Sequence, residues 1–411
     1  MATAESPFAA FAAELDELSA QQLRRQRRTR TTPADTHIVA DGRAVLSFCS
    51  NDYLGLAHHP LLIDAAKQAL DESGLGGAAS HLVSGHHLQH ARLEQRLQAF
   101  TGWPALSFAT GYAANVGIIP ALVGREDAIF ADRLNHASLN DGCLLSRATF
   151  RRFAHQDLNQ LATLLATTPA RRRLIVVDGV YSMDGDLAPL PELLALAEQY
   201  DAWLYVDDAH GLGVLGEHGR GCAEYWGLHH PRLIQLLTFG KAAGVQGAAV
   251  CGDALLIDWL LNRCRSYIYT TASPPALAAA LCVSLDLIEG GQQRRETLRA
   301  HIRQLREGCA DLPWTLLPSE TAIQPLRVGS NEETQKLADR LWQRGLWVPG
   351  IRPPTVPVGQ GRLRISLSAA HTEDDIRLLL EGLHACAREW QGGTPDYDSA
   401  AHSSRLTTGA D

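Results

Sequence analysis

No apolar run in this 411-residue chain approaches the ~20 residues a helix needs to span a bilayer, which argues against a membrane span. Basic residues are not in excess. Lys and Arg number 37 against 45 Asp and Glu, for a net charge of -8 and a pI near 6.1, so the balance does not point to nucleic acid. None of the eight cysteines forms a C-x-x-C pair, and they read as small hydrophobes kept reduced. Neither H-E-x-x-H nor a Cys/His ligand spacing occurs. The N-terminal stretch MATAESPFAAFAAELDEL carries acids where a signal peptide would have a basic n-region, so a cytoplasmic protein is expected. No internal repeat is visible.

What is present is ordinary for a soluble globular protein: 45% apolar and 20% charged residues, at a length that suggests two or three domains. Phe8, Phe11, Ala12, Leu15, Leu18 and Leu23 recur at roughly helical spacing, which predicts an amphipathic helix over 6–29. It would end in the run Arg24, Arg25, Arg27, Arg28 and Arg30. That run is either a solvated helix end favoured by the macrodipole or an arm delivering one arginine to an anionic substrate. A short strand is expected at 45–48 and helices near 60–72 and 87–100, with the small-residue loop GLGGAASHLVSGHH between them.

Short apolar strands then alternate with helices. Strands are expected at 106–108, 128–130, 150–153, 174–177, 204–206, 234–237 and 248–251. Helices fall near 111–122, 136–145, 156–167 and 189–200. Such alternation predicts an α/β fold with a mostly parallel sheet covered on both faces. Long helices near 253–265, 274–289 and 291–309 lead to a compact αβ unit: a strand at 323–328, a helix at 331–344, strands near 346–348 and 362–368, and a helix at 372–389. The expected division is an N-terminal arm (1–45), a large domain (46–290), a small domain (291–390) and a disordered tail (391–411).

Chemistry concentrates between Trp203 and Lys241. One apolar run ends in Asp207-Asp208-Ala209-His210, and the next ends in Thr238-Phe239-Gly240-Lys241, which sets the lysine 34 residues beyond Asp207. In an open α/β sheet, ligands bind at the carboxyl ends of strands, so a carboxylate, an imidazole and an amine would share one crevice. Thr110-Gly111-Tyr112 opens a helix after a strand, a natural phosphate site. His136 follows another strand, and Ser182 lies in the polar turn DGVYSMDGDLAP, whose plain reading is a lead into a helix opened by Pro189 and Pro191. A metal site is the rival role for His136, His210 and the His86-His87-His90 cluster, but with no supporting ligand spacing none is expected.

An acid three residues before a histidine, followed by a distant lysine, resembles the fold-type I pyridoxal phosphate (PLP) enzymes. The ordered blocks SNDYLGL, ATGYAAN, DRLNHASL, VYSMDGD, VDDAHGLGVLGEHGRG, TFGKAAG and YIYTTASPP resemble the α-oxoamine synthases over about residues 15–390. These PLP enzymes condense an amino acid with an acyl-CoA and release CO₂. The resemblance implies that Lys241 holds PLP as a Schiff base and that Asp207 faces the pyridine nitrogen. His136 would stack on the ring, and His210 and Ser182 would bond its substituents. Thr238 and the backbone at Gly111 and Tyr112 would hold the phosphate. Thr270 and Thr271 would reach the neighbouring subunit's phosphate, which implies a homodimer with active sites at its interface.

The stretch Arg352-Pro353-Pro354-Thr355, followed by GQGRLRISLSAAH, resembles the branch that joins L-alanine to a pimeloyl thioester. Arg352 would clamp the amino-acid carboxylate, a task suited to a bidentate guanidinium. Thr355, Asn51 and either Arg24 or Arg25 would also touch substrate. The alternative within the enzyme class is a glycine C-acyltransferase. From another class, the alternative is a cofactor-sensing regulator, which needs a DNA-binding domain ahead of the fold where about 45 residues stand. One departure is the small-residue loop, where Gly77-Ala78-Ala79-Ser80 replaces the family's frequent Ser-Gly-Gly-Ser.

Overall fold

In the computed structural model residues 6–390 are described; the tail expected from 391 lies outside them. The N-terminal helix runs only over Ala10–Ala20 and buries none of its residues. Gln22 adopts φ 60°, and the arginine run beyond it is not helical, which corrects the expected helix over 6–29. The reason is a competing partner. Asp41 accepts from the Thr29 amide at 2.8 Å and pairs with Arg28 at 3.2 Å, while the Arg28 guanidinium lies 3.8 Å over the Trp342 ring. These contacts hold the segment extended beside β1 (His37–Ala40).

Strand β1 pairs antiparallel with β2 (Arg43–Ser47). The turn between them is Asp41-Gly42, with φ 50° and 75°, the paired positive values that favour Asp-Gly in a tight hairpin. The sequence reading places only the second strand.

Strands β3 (Ala105–Phe108), β4 (Ala128–Asp132), β5 (Thr149–Phe153), β6 (Arg173–Asp178), β7 (Ala202–Asp207), β8 (Leu233–Thr238) and β9 (Ala248–Cys251) form a seven-stranded sheet. Their order is β3-β9-β8-β7-β6-β4-β5. Within it β9 runs antiparallel to both neighbours and the other pairings are parallel, as the alternation predicts. Successive side chains feed opposite faces. Leu204 and Val206 join one buried cluster, while Tyr205, Leu174 and Val176 join the other. Both faces are thus apolar, which explains why the strands read as continuous hydrophobic runs. All eight cysteines are free thiols, six of them buried.

The smaller C-terminal domain holds β10 (Thr315–Leu316), β11 (Ile323–Gly329), β12 (Leu346–Trp347), β13 (Gly350–Ile351) and β14 (Gly361–Ser366). Four of these form an antiparallel sheet in the order β10-β11-β14-β13. The fifth, β12, pairs in parallel with β2, so the N-terminal hairpin is built onto this end of the chain. Helices Asn331–Gln343 and Glu373–Arg388 both start with reciprocal caps, Ser330 with Glu333 and Thr372 with Asp375.

Two loops at the carboxyl edge of the large sheet are tied by one imidazole. His155 Nδ1 lies 3.1 Å from Asp132 Oδ1, and its Nε2 lies 2.7 Å from Asp186 Oδ2. Asp132 leads into the loop carrying His136, and Asp186 ends the loop carrying Ser182. Burial opposes the charged ring, but the two carboxylates outweigh it and push its pKa from 6.5 up to about 10. The stabilisation from this ion triad is therefore complete below the ordinary histidine pKa, declines above it, and is lost as pH rises through about 10. His155→Gln should be less stable than wild type by urea midpoint near neutral pH. The gap should narrow steadily between about pH 6.5 and about pH 10. A constant gap would mean that the ring carries no extra proton in the folded state.

Candidate active site

Strands β6, β7 and β8 end side by side in Asp178, Asp207 and Thr238. A cavity of about 260 Å³ opens at these ends, lined among others by Asn51, His136, Ser182, His210 and Lys241. The turn after β8 projects Lys241 into it. There the Gly244 amide bonds the Lys241 carbonyl at 2.8 Å. Gly244 sits at φ 70°, where a Cβ would come within 2.6 Å of the Ala57 nitrogen. The block around Lys241 therefore packs directly on SNDYLGL and its following alanine.

Asp207 is almost fully buried. Its Oδ1 accepts from the Ala209 amide at 3.1 Å and its Oδ2 from Asn115 Nδ2 at 2.7 Å. Asn115 also donates to Ser138 Oγ at 2.9 Å and accepts from Tyr205 OH at 2.8 Å. His136 Nδ1 accepts from the Ser138 amide at 3.3 Å and lies 2.7 Å from Ser138 Oγ, so the neutral ring carries its proton on Nε2. Burial lowers the His136 pKa, with Asp207 acting in the opposite direction. Burial and the neighbouring Asp207 charge push the Asp178 pKa well above the usual carboxylate range, although Asp178 accepts from the His136 amide at 2.7 Å.

His210 Nδ1 lies 2.7 Å from Tyr53 OH. The same hydroxyl donates to Asn51 Oδ1 at 3.1 Å, which also takes a hydrogen bond from Arg364 Nη1 at 3.0 Å. Burial, then the Lys241 charge, holds the His210 pKa well below its ordinary value. Burial also lowers the Lys241 pKa, against the raising effect of Asp207 and Asp178.

Arg364 was missed by sequence reasoning, and so were Asn115, Ser138 and Tyr53. Buried on β14, Arg364 donates through Nε to the Ser182 carbonyl at 2.6 Å and through Nη1 to Ser366 Oγ at 2.8 Å. The RLR triplet on a strand was its only signal. Arg352, expected as the carboxylate clamp, does not line the Lys241 cavity. It donates to the Gln22 carbonyl and lines a larger groove with Arg24, Arg27, Arg28 and Asp339. The physical reason is topological, because β13 carries Arg352 to the N-terminal arm whereas β14 carries Arg364 to the loop after β6. Arg25 is not among the residues lining that groove. Thr355 is exposed, and so are Thr270 and Thr271, with Thr271 bridging to Ser80. In the departing loop, Ala78 takes φ 58°, a left-handed value that glycine accepts more readily.

The cavity fits a flat, phosphate-bearing ring. Thr238 Oγ1 is buried without a partner among the described residues. A Cβ on Gly111 would stand 2.6 Å from Thr238 Cγ2, so glycine keeps the space between them open. The helix Gly111–Leu122 begins there, and its N-terminus favours an anion. Opposite, the Asp207 carboxylate faces the same cavity as the Lys241 amine.

The comparisons extend this picture. The family model for aminotransferase class I and II matches residues 43–383. An 8-amino-7-oxononanoate synthase from Azoarcus sp. (strain BH72) is 56% identical over 372 residues, covering 90% of this chain and 95% of that protein. Its counterpart from Aromatoleum aromaticum is 57% identical over 373 residues, covering 90% and 97%. Among solved structures, a serine palmitoyltransferase from S. paucimobilis with bound PLP superposes with a TM-score of 0.88 at 31% identity, over 93% of this chain and 98% of that one. An 8-amino-7-oxononanoate synthase from Francisella tularensis gives 0.73 at 30% identity, over 84% and 98%. With a lysine, a carboxylate and a phosphate cradle at the ends of β6–β8, and more than half its residues shared with these synthases along 90% of its length, the chain belongs to the aminotransferase class I and II family and, within it, to the 8-amino-7-oxononanoate synthases.

Proposed function

We propose that the chain catalyses the PLP-dependent decarboxylative condensation of L-alanine with a pimeloyl thioester, CoA or carrier-protein bound. The products are 8-amino-7-oxononanoate, the free thiol carrier and CO₂, a step of biotin biosynthesis. The observation that carries this reading is a lysine of lowered basicity sharing one cavity with a buried carboxylate and a neutral histidine. PLP, when bound, supplies an electron sink for carbanion chemistry at the amino acid's Cα.

Lys241 is the amine that anchors PLP and then moves the Cα proton; burial leaves a larger share of it neutral, as a base requires. Asp207 keeps a proton on the pyridine nitrogen. His210 bonds the ring's phenolic oxygen, and Ser182 serves the same edge. His136 lies over the ring and donates through Nε2 toward the thioester oxygen. Gly111, Tyr112 and Thr238 hold the phosphate, with Thr270 and Thr271 supplied by the other subunit of a homodimer. Arg364 grips the alanine carboxylate beside Asn51 until CO₂ departs. Arg352, Arg24 and Thr355 serve the acyl chain's far end from the adjoining groove; Arg25 is the alternative arm residue. The arm, large domain, small domain and tail divide as 1–45, 46–290, 291–390 and 391–411, and the protein works in the cytoplasm.

Borohydride reduction of the PLP-loaded protein should attach the label to the Lys241 peptide alone. Label on another lysine would remove Lys241 from this role. Asp207→Asn should still bind PLP but turn over about 30- to 1,000-fold more slowly, the effect of losing ~2–4 kcal/mol of transition-state stabilisation. Near-wild-type turnover with PLP bound would assign ring protonation to another group.

The two arginines can be separated by substrate. Arg364→Ala should weaken L-alanine binding by ~1.5–3 kcal/mol, the range for a hydrogen bond to a charged group. Arg364→Lys should rescue only part, because an ammonium lacks the planar fork. Arg352→Ala should leave alanine binding unchanged and raise KM for pimeloyl-CoA. The reverse pattern, in a spectral alanine titration followed by a CoA-release assay, would return the carboxylate to Arg352.

A further inference from the structure

Outside the Lys241 cavity, three histidines converge at the start of the helix Leu88–Thr101. His81 opens the single π-turn His81–Gly85, His86 follows the turn, and His90 lies in the first turn of the helix. The wide turn folds His81 back toward the other two. One ring nitrogen from each residue lies within 4.8 Å of the others, the one such cluster of three metal-binding side chains among the described residues. Sequence spacing alone could not show this, because His81 is separated from His86 and His90 by a segment with no regular ligand spacing.

The geometry of the rings suits ligation. Nδ1 of His81 stands 3.0 Å from Nδ1 of His86. Two nitrogens bound to one tetrahedral Zn²⁺ at about 2.0–2.1 Å stand about 3.3 Å apart, so this pair needs little movement to share a cation. Their outer partners are also those of a ligated imidazole, whose second nitrogen characteristically donates to a carboxylate or carbonyl. His90 Nε2 meets the Ser273 carbonyl at 2.9 Å, and His86 Nε2 faces Glu94 Oε2 at 4.0 Å. His81 is held flat against the buried ring of Tyr267, at 4.9 Å between centroids and 14° between planes.

We propose that His81, His86 and His90 form a binding site for a divalent transition-metal cation, with Zn²⁺ favoured by an all-imidazole donor set. Water completes the coordination on the exposed side at His86. Ligation exchanges two existing bonds, the Nδ1–Nδ1 hydrogen bond between His81 and His86 and the one that His90 Nδ1 accepts from the His87 amide at 3.0 Å. The cation ties the π-turn, with its exposed Leu82 and Val83, to the helix that follows. None of the three histidines lines the Lys241 cavity of its own chain, and the role assigned to the cation is structural.

The test uses the full-length, PLP-loaded protein, stripped with a chelator and titrated with ZnCl₂ by calorimetry, with metal content measured after gel filtration. One Zn²⁺ per chain is expected, with a rise in melting temperature. Co²⁺ in its place should give the visible ligand-field bands of a tetrahedral site. His81→Phe keeps a ring against Tyr267 but removes the donor, and His86→Ala removes the exposed one. Each should weaken Zn²⁺ binding by at least about tenfold while leaving the absorbance of bound PLP unchanged. No stoichiometric binding by the wild type, or equal binding by wild type and the double variant, would overturn the proposal.

Discussion

Keeping one carboxylate charged inside the protein is the constraint on which the rest of this site depends. An unpaired buried ion costs several kcal/mol, and Asp207 is almost fully buried at the end of β7. Asn115 and the Ala209 amide each satisfy one oxygen. Asn115 can do so only because Tyr205 and Ser138 fix its orientation, and Ser138 in turn fixes the His136 tautomer. One carboxylate thus dictates the rotamers of residues on two helices and one strand. Asp178, on the adjacent strand, is pushed toward its neutral form by burial and by Asp207.

The second constraint is that the small domain must reach this edge. Strand β14 does so with two arginines on one face, at 362 and 364. Arg362 pairs with Asp184 at 2.6 Å and Arg364 bonds the Ser182 carbonyl, so both grip the loop after β6. Both guanidiniums are buried although Asp184 is partly exposed, and a buried charge left without its partner is costly. The position of Ser182 against the cavity is therefore set by a strand almost two hundred residues later in the chain. Meanwhile β12 and β13 carry the small domain's other end to the N-terminal hairpin and arm.

These two constraints explain what the sequence could show. The seven strands of the large sheet were legible to within two residues at each end, because burial on both faces leaves continuous apolar runs. Lys241, Asp207 and His210 were legible as residues at strand ends, His136 and Ser182 through the family resemblance, and all five line one cavity. Asn115, Tyr53 and Ser138 were present in the quoted blocks, but nothing in a linear pattern says that an amide inside a helix will face a carboxylate ninety residues away. Arg352 was singled out because prolines make a conspicuous motif, whereas Arg364, an arginine within a strand, reads as surface alternation. The β1–β2 hairpin was overlooked although its Asp-Gly turn was in view. The helix over 6–29 was overextended because its periodicity was judged without the Asp41 contacts that hold its second half extended.

Burial also sorts the basic groups along this edge by the company they keep. Lys241, His136 and His210 lose basicity, mainly because each must shed water to line the cavity. His155, one strand over, also loses water, yet its two carboxylates push it the other way, up to about 10. Groups of lowered basicity therefore face the cavity. A fixed positive charge stands just behind them, where it holds loops together. The same sheet edge separates cavity-lining from loop-tying histidines by the number of carboxylates within hydrogen-bonding reach.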